Sequence, residues 1–196
     1  MTAVVDYGAG NLTSVKYAFA ALGEAVEVTS SPAVVARAER VVFPGVGAAK
    51  CAMENLKSLG LVDAVREAAA TRPFLGICLG MQILFERSDE DGGVDTLGVI
   101  PGRVRRFPDV EGFKVPHMGW NSVTGNGERE SREYYFVHSY CADICEFTTG
   151  VTEYAGVKFT SEVRKGRLVA CQFHPEKSGR AGLGLLKEFL ECSRSA

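Results

Sequence analysis

Three features that mark large functional classes are missing from this sequence of 196 residues. It has no basic excess, since its formal net charge is -2, and a face that binds nucleic acid would need one. No apolar run reaches the ~18 residues that span a bilayer. The segment from Met1 to Asp6 lacks the basic and then apolar stretches of a signal peptide. We therefore expect a cytoplasmic protein that binds neither nucleic acid nor membranes.

Histidine is also scarce, and the cysteines show no metal-binding pattern. The chain has three histidines and six cysteines, the latter at 51, 78, 141, 145, 171 and 192. Cys141 and Cys145 have no second ligand pair at zinc-finger spacing. Disulfides suit short secreted chains without a core, whereas 46% of these residues are hydrophobic. We expect reduced thiols, no metal and no cofactor.

The first half of the chain alternates short β-branched runs with helical patterns. This order predicts a mostly parallel sheet with helices on both faces, in a single domain over residues 1–196. Strands are predicted at 2–5, 25–29, 40–43 and 73–77. Helices are predicted at 12–22, 32–38, 48–70 with a break near Gly60, and 79–87.

The second half of the chain is richer in strand patterns with short polar connections. Strands are predicted at 99–107, 114–123, 134–138, 153–157, 159–163 and 167–173, with a hairpin turn at Arg164-Lys-Gly166. A helix at 179–192 closes the chain. The fold class expected is therefore α/β, with an antiparallel β extension in the C-terminal half.

A cysteine between two glycines is the sharpest local feature. Gly76-Ile-Cys-Leu-Gly80 lies between an apolar strand and a helical pattern. This arrangement is typical of a nucleophile elbow, in which glycines on either side permit a sharp turn. Free N–H groups at the start of the following helix would favour a thiolate and a developing oxyanion. A buried cysteine in a glycine-rich strand end is the plainer alternative.

A histidine and a glutamate follow the last predicted strand. In an extended segment, residues two apart project to the same side, so His174 and Glu176 should face one region. A cysteine nucleophile needs a base, and the base needs an orienting group. Cys78, His174 and Glu176 can supply these roles, although a histidine after a strand is often only a core or capping residue.

A glycine-containing turn lies at the carboxyl end of the third predicted strand, where open α/β sheets bind ligands. The turn is Pro44-Gly-Val-Gly47. A backbone N–H of this turn could form an oxyanion hole with the N–H of Leu79. The alternative is an ordinary strand-to-helix turn.

A dinucleotide site is rejected. Gly8-Ala-Gly10 follows the first strand, but Thr13 stands where the fingerprint has its third glycine.

These segments together resemble the class I, or triad-type, glutamine amidotransferases. Four further segments resemble the glutaminase subunits of imidazole glycerol phosphate synthases, which act in histidine biosynthesis. They are Asp6-Tyr-Gly-Ala-Gly-Asn11, Pro116-His-Met-Gly-Trp-Asn121, Tyr135-Phe-Val-His-Ser-Tyr140 and Gln172-Phe-His-Pro-Glu-Lys-Ser178. The resemblance covers nearly the whole chain.

The resemblance implies a mechanism and a set of site residues. Cys78 would attack the glutamine amide, His174 would move the proton, and Glu176 would orient His174. Backbone groups of Val46, Gly47 and Leu79 would bind the oxyanion. The residues expected to line the glutamine pocket are Gly45, Gln82, Glu90, His138, Ser139 and Tyr140.

The resemblance also implies a protein partner. Similar glutaminases form a heterodimer with a βα-barrel synthase subunit and pass ammonia to it. Asn11, Met118, Trp120 and Lys177 are expected at that interface. For Trp120, the only tryptophan, a place in the core is the alternative.

Three other functions stay open at this point. The chain could serve another synthase, such as those making pyridoxal phosphate, anthranilate or guanylate. It could be a stand-alone cysteine hydrolase or peptidase of similar fold. It could also be a binding module that keeps the fold without catalysis, although the complete Cys, His and Glu set argues against that.

Overall fold

A mixed β-sheet organises the chain. The computed structural model describes residues 1–8, 11–125 and 131–191. The middle of the glycine segment discussed above, residues 9–10, and the predicted helix end at Cys192 lie outside the described residues.

Five parallel strands form the centre of the sheet. They are β1 (Thr2–Val5), β2 (Val26–Thr29), β3 (Arg40–Gly45), β4 (Phe74–Cys78) and β13 (Leu168–Cys171). Their spatial order is β2-β1-β3-β4-β13, and all neighbouring pairs run parallel. The carboxyl ends of β3 and β4 therefore lie side by side, with Gly45 paired to Cys78.

Helices cover both faces of the parallel sheet. The helices are α1 (Leu12–Ala21), α2 (Pro32–Arg37), α3 (Ala49–Ser58), α4 (Val62–Thr71), α5 (Leu79–Gln82) and α6 (Gly179–Glu191). Helices α2, α3 and α4 pack in one apolar cluster, and α1 and α6 in the other. No helix of the described residues is both long and apolar enough to cross a membrane.

The two apolar clusters follow from the alternation of side chains along each strand. In β1, Ala3 and Val5 enter the cluster beneath α2–α4, while Val4 enters the cluster beneath α1 and α6. Because both faces are covered, every residue of β1 and β4 is buried, as is usual for parallel strands. The fully apolar strand runs in the sequence are explained by this double burial.

The second part of the sheet continues from β13. Its strands are β5 (Arg87–Ser88), β6 (Val94–Asp95), β7 (Arg103–Arg106), β8 (His117–Gly125), β9 (Arg132–His138), β10 (Tyr140–Ala142), β11 (Thr148–Tyr154) and β12 (Val157–Lys165). The order continues as β12-β10-β7-β5-β6, while β11 joins β12 to β8, and β8 pairs with β9. Neighbouring strands in this part pair antiparallel except for β5 and β7, which pair parallel. The predicted α/β class with an antiparallel extension is confirmed.

One predicted helix is too long. The prediction placed a helix over 79–87, but α5 ends at Gln82 and the chain reaches β5 at Arg87. Ile83, Leu84 and Phe85 are all fully buried. A helix on a sheet surface buries only one stripe, so three consecutive buried residues fit a tight turn into the core better than a helix.

Two predictions in the second half are also wrong. The strand predicted at 153–157 crosses a hairpin turn, because Ala155 and Gly156 take positive φ values of 52° and 73° between β11 and β12. The strand predicted at 99–107 is formed only by Arg103–Arg106. The hairpin turn predicted at Arg164-Lys-Gly166 exists but lies later in the chain: Arg164 and Lys165 still belong to β12, and Gly166 and Arg167 form the turn between β12 and β13.

Candidate active site

Cys78 lies at the sharp turn between β4 and α5. Its backbone has φ 55° and ψ -113°, a conformation that side-chain-bearing residues rarely adopt. Such strain costs about 1–3 kcal/mol and persists where the surrounding structure enforces it. Cys78 is 6% exposed. The elbow predicted from the glycine spacing is therefore formed around a strained cysteine.

The two flanking glycines allow the close packing of this turn. A Cβ on Gly80 would lie 1.9 Å from the carbonyl oxygen of Phe43 in β3. A Cβ on Gly76 would lie 3.0 Å from the side chains of Ala170 and Leu84. The glycines thus let α5 begin directly against β3. This packing holds Cys78 at the carboxyl end of β4.

His174 and Glu176 meet in a turn rather than in an extended segment. Pro175–Lys177 forms a 3-10 turn, with the Lys177 N–H donating to the His174 carbonyl (3.0 Å). The expected extended segment is therefore wrong, because the proline φ and this hydrogen bond favour a tight turn. The ring Nδ1 and Glu176 Oε1 are still 2.8 Å apart. Both side chains are almost fully buried.

Strand β9 fixes the backbone of His174. The N–H of His174 donates to the carbonyl of Tyr135 (2.9 Å). Ser178 Oγ donates to the His174 carbonyl (2.6 Å) and accepts the N–H of Tyr135 (2.9 Å). Sequence reasoning assigned Ser178 no role. Its position four residues after the histidine, where a hydroxyl can bond back to the His174 carbonyl, was the available signal.

The charge state of His174 depends on its two acidic neighbours. Its Nε2 atom is buried and makes no hydrogen bond of ordinary geometry among the described residues. Burial opposes a charge on the ring, but interactions with Cys78 and Glu176 outweigh it and raise the pKa of His174 to about 10. These interactions favour the protonated form of the His174 ring beside Cys78.

The other described cysteines lack this environment. Cys51, Cys78, Cys141, Cys145 and Cys171 are all free thiols. Burial raises the pKa of Cys141 to about 12 and that of Cys171 well above its ordinary value. No cluster of three metal-binding side chains occurs within 1–8, 11–125 and 131–191.

A cavity of about 350 Å³ opens at the carboxyl ends of β3 and β4. This volume is at the lower end of the range for small-molecule sites. The lining residues are Val46, Gly47, Cys78, Leu79, Gln82, Glu90, Pro116, Val137, His138, Ser139, Tyr140 and His174. Most of the residues expected to bind the oxyanion and glutamine therefore lie around Cys78 in one cavity. Pro116 and Val137 were not expected there.

Gly45 has a different position from the other expected pocket residues. It is buried, and a Cβ there would lie 2.2 Å from the Tyr7 hydroxyl and 2.9 Å from the Gly80 nitrogen. The lack of a side chain at Gly45 lets β3, Tyr7 and the elbow pack together. The structure places Gly45 behind the cavity wall.

Glu90 reaches the cavity from a short 3-10 turn, Glu90–Gly92. Its Oε2 accepts the N–H of Ala49 at the start of α3 (2.6 Å). Burial raises the pKa of this carboxyl, although the hydrogen bond opposes that shift. The acidic stretch around Glu90 is therefore more than a solvated loop, because this one carboxylate is held inward.

Two buried histidines form a hydrogen-bonded chain beside the cavity. His138 Nδ1 lies 2.7 Å from the Tyr140 carbonyl, which can only accept, so Nδ1 carries the hydrogen. Asn121 Oδ1 accepts the Ser122 N–H, so Asn121 Nδ2 is the atom that donates to His117 Nε2 (3.3 Å). His117 Nδ1 therefore carries the hydrogen and donates to His138 Nε2 (3.1 Å). Both rings are consequently neutral, and their tautomers are determined.

Because both histidines are neutral in the folded protein, we expect its stability to fall at acidic pH. Burial lowers the pKa of His117 to about 4 and that of His138 to about 3. The unfolded chain binds protons near the ordinary pKa of ~6.5, so stability falls as the pH drops from about 6.5 towards 4. We expect the wild type to lose about 1 kcal/mol more than His117→Gln between pH 7.5 and 5.5. Urea unfolding of both proteins measures this difference.

The contribution of His174 is common to both proteins and cancels in that comparison. Equal losses in the wild type and His117→Gln would contradict the neutral assignment of this ring.

Asn11 joins the Cys, His and Glu set from the start of α1. Its Nδ2 donates to Glu176 Oε1 (2.7 Å), the oxygen that also faces His174 Nδ1. Glu176 Oε2 is buried and has no hydrogen-bond partner among the described residues. Asn11 was expected at a partner interface; the structure shows it hydrogen-bonded to the same glutamate oxygen that faces His174.

Removal of this amide should impair the site. We expect Asn11→Ala to lower glutamine hydrolysis about tenfold, because Glu176 would lose a charge-assisted hydrogen bond. Hydrolysis is measured at a saturating concentration of the expected βα-barrel partner, and Lys16→Ala, an exposed change on α1, is the control. Recovery of full activity at saturation would mean that Asn11 acts only in docking.

The other three residues expected at an interface form an exposed patch. Met118 and Trp120 on β8 are 62% and 56% exposed, so Trp120 is not a core residue. Trp120 contacts the ring of Tyr135 edge-on, with centroids 6.3 Å apart. Lys177 is also exposed, and its Nζ lies 5.9 Å from the centre of the Tyr135 ring. Isolated exposed apolar residues are common, but the cluster of Met118, Trp120 and Lys177 beside the cavity suits a docking surface.

A family comparison bears on this site directly. The family described as glutamine amidotransferase class-I matches residues 3–192. The chain belongs to this family. The match includes the elbow, the His-Pro-Glu turn and the strands between them.

Relatives within the class I glutamine amidotransferases carry a specific name. The protein named imidazole glycerol phosphate synthase subunit HisH from Dechloromonas aromatica is 52% identical, over 96% of this chain and 95% of its own length. The proteins of the same name from Acinetobacter baylyi and Moorella thermoacetica are 44% and 48% identical, again over at least 96% of each chain.

Solved structures support the amidotransferase fold at lower identity. A crystal structure of a glutamine amidotransferase is 20% identical with a TM-score of 0.77, over 98% of both chains. A glutamine amidotransferase from Thermotoga maritima is 18% identical with a TM-score of 0.63, over 100% of this chain and 85% of that one. These similarities establish the fold.

Proposed function

We propose that this chain is the glutaminase subunit of an imidazole glycerol phosphate synthase. It would hydrolyse glutamine to glutamate and ammonia and pass the ammonia to a βα-barrel synthase subunit in the cytoplasm. The observation that carries the proposal is the strained Cys78 elbow in one cavity with His174, whose ring is held by Glu176. The names of the relatives support this synthase over those making pyridoxal phosphate, anthranilate or guanylate.

The chemistry begins with attack by sulfur. The Cys78 thiolate attacks the side-chain amide carbon of glutamine, and the amide oxygen becomes an oxyanion. Backbone N–H groups of the Pro44–Gly47 turn and of Leu79 would stabilise that charge. The positions of Val46, Gly47 and Leu79 around the cavity support this assignment.

His174 then completes the proton transfers. The imidazolium gives its proton to the leaving nitrogen, ammonia departs, and a γ-glutamyl thioester remains on Cys78. Water, deprotonated by the now neutral His174, attacks the thioester and releases glutamate. Glu176 keeps the ring in the tautomer and orientation that both steps require, as the acidic member of a triad does.

The rest of the cavity would hold the amino acid end of glutamine. Glu90 offers a carboxylate for the substrate ammonium group, and its hydrogen bond to Ala49 fixes its direction. His138, Ser139 and Tyr140 would supply the opposite wall. Both hydrogens of the Gln82 amide are used within the protein, so Gln82 would shape the pocket more than bind substrate.

The interface proposal uses the exposed patch beside the cavity. Met118, Trp120 and Lys177 would contact the barrel protein, while Asn11 would act on Glu176 beneath them. This placement would put the ammonia exit next to the partner.

Ammonia transfer tests the proposal. The chain is mixed with a candidate βα-barrel synthase and its nucleotide ligand, and turnover is compared with glutamine or ammonium as nitrogen donor. We expect glutamine-dependent turnover only when this chain is present, and ammonium-dependent turnover with the barrel alone. Glutamine hydrolysis that is coupled to a different synthase, or peptide cleavage without any partner, would overturn the assignment.

A further inference from the structure

A buried glutamine lies against the Cys78 sulfur. Gln172 follows β13, whose last residue, Cys171, is paired with Ile77 of β4. The next residues, Gln172 and Cys78, therefore lie side by side, and Gln172 Nε2 is 3.7 Å from Cys78 Sγ. Gln172 is fully buried. Its side chain was given no role by the motif that contains it.

The backbone of Gln172 is held independently of its side chain. Its N–H donates to the carbonyl of Ser161 in β12 (2.9 Å). The next residue but one is His174, whose own N–H is bound to β9. The amide side chain therefore projects from a fixed point beside the sulfur.

The direction of the Gln172 amide is determined by its neighbours. The Tyr140 carbonyl oxygen can only accept, and it lies 2.7 Å from the nearest side-chain atom of Gln82, which must therefore be the nitrogen. That same nitrogen lies 2.9 Å from Gln172, so the Gln172 atom facing it is the oxygen. The reverse placement would bring two nitrogens together.

The NH2 group of Gln172 consequently faces the sulfur. A chain of hydrogen bonds leads from the Tyr140 carbonyl through Gln82 and Gln172 to Cys78. An N–H donor binds a thiolate more strongly than a thiol, because bonds to charged acceptors are roughly twice as strong as neutral ones. The buried setting strengthens this preference further.

We propose that Gln172 is a positioning residue that hydrogen-bonds the Cys78 thiolate and holds its sulfur for attack, in an orientation set by the Tyr140 carbonyl through Gln82. This inference rests on the proposed role of Cys78 as nucleophile. It gives the sulfur a hydrogen-bond donor in addition to the His174 ring in the same cavity. The sulfur would thus be held from two sides while the elbow fixes its backbone.

Alkylation of Cys78 by iodoacetamide tests this role without using the glutaminase reaction. The variants are Gln172→Met, which keeps length but removes the donor, and Gln172→Glu, which keeps shape but faces the thiolate with oxygen. Thr152→Val, which removes the hydrogen bond of another buried polar side chain, on β11, is the matched control. The full chain is used, and modification is read by mass spectrometry on the tryptic peptide 67–87, in which Cys78 is the only cysteine.

We expect Gln172→Met to react about tenfold more slowly at pH 7, with the pH of half-maximal alkylation shifted upward by about one unit. In Gln172→Glu the pH of half-maximal alkylation should shift upward further. In the complex, kcat for glutamine should fall by about tenfold or more, while KM changes little. A general loss of stability would instead affect Thr152→Val in the same way.

Unchanged alkylation in Gln172→Met, or an equal effect in Thr152→Val, would overturn the proposal. If the variants do not fold, the side-chain amide NMR signal of Gln172 in the wild type decides. It should move with pH in step with Cys78 alkylation, and a constant signal would count against the proposal. A wild-type Cys78 that fails to react at all would instead refute the proposed function.

Discussion

Replacing Cys78 with alanine or serine should lower glutamine hydrolysis by at least about 10³-fold, while ammonium-dependent turnover by the partner continues. The expected loss is large because no other described cysteine combines an elbow position with the cavity and His174. Serine would not restore the reaction, since its hydroxyl does not ionise beside the ring as a thiol does. The assay compares glutamine with ammonium in the assembled complex.

Cys51→Ser is the matched control for this experiment. Cys51 is a free, exposed thiol on α3. It should retain full activity with either nitrogen donor. Glutamine-dependent turnover that survives in Cys78→Ala would show that another group is the nucleophile.

Gly80→Ala should prevent the elbow from forming. The new Cβ would lie 1.9 Å from the Phe43 carbonyl oxygen and 2.9 Å from its carbon, both backbone atoms that cannot move without shifting β3. We expect a loss of about 3 kcal/mol or more in the free energy of unfolding, beyond the usual range for point variants, together with loss of glutaminase activity. Urea denaturation and the glutamine assay measure the two effects.

Gly184→Ala is a suitable comparison because Gly184 also lies in a helix, α6, and its added Cβ would meet nothing within 4 Å. Helix propensity alone should then raise stability by about 0.5–1 kcal/mol. If Gly80→Ala behaved like Gly184→Ala, the elbow would not depend on close contact between α5 and β3.

The parallel half of the fold was predictable because its signals are local. Strands such as β1 and β4 are short apolar runs buried on both faces, and Gly23 and Gly60 follow the ends of helices. The elbow was predictable for the same reason, since two glycines around one cysteine specify a steric requirement within five residues. His174 and Glu176 were identified by their spacing, even though the segment forms a turn.

The remaining features depend on contacts between distant parts of the chain. The error at 153–157 arose because the turn Ala155-Gly156 carries only half of the usual hairpin signal: asparagine, aspartate or glycine at 155, before Gly156, would have indicated it, whereas alanine rarely takes positive φ. The helix predicted at 79–87 is too long, because tertiary packing buries Leu84 and Phe85 in a turn after α5. The Gln82–Gln172 contact joins residues 90 positions apart, and no local pattern indicates it.

Asn11 illustrates the same limit within the site. The sequence associated it with a partner because it lies in a segment shared with a family of complexes. Its contact with Glu176 spans 165 positions and becomes visible only when the turn after β13 and the start of α1 are brought together.

Trapping of the reaction intermediate tests the central claim most directly. The assembled complex is mixed with glutamine, quenched rapidly in acid and digested with trypsin. Mass spectrometry should then find a γ-glutamyl adduct on the peptide 67–87, whose only cysteine is Cys78. A wild-type protein that turns over glutamine with no such adduct, or with the adduct on a peptide containing a different cysteine, would contradict the account.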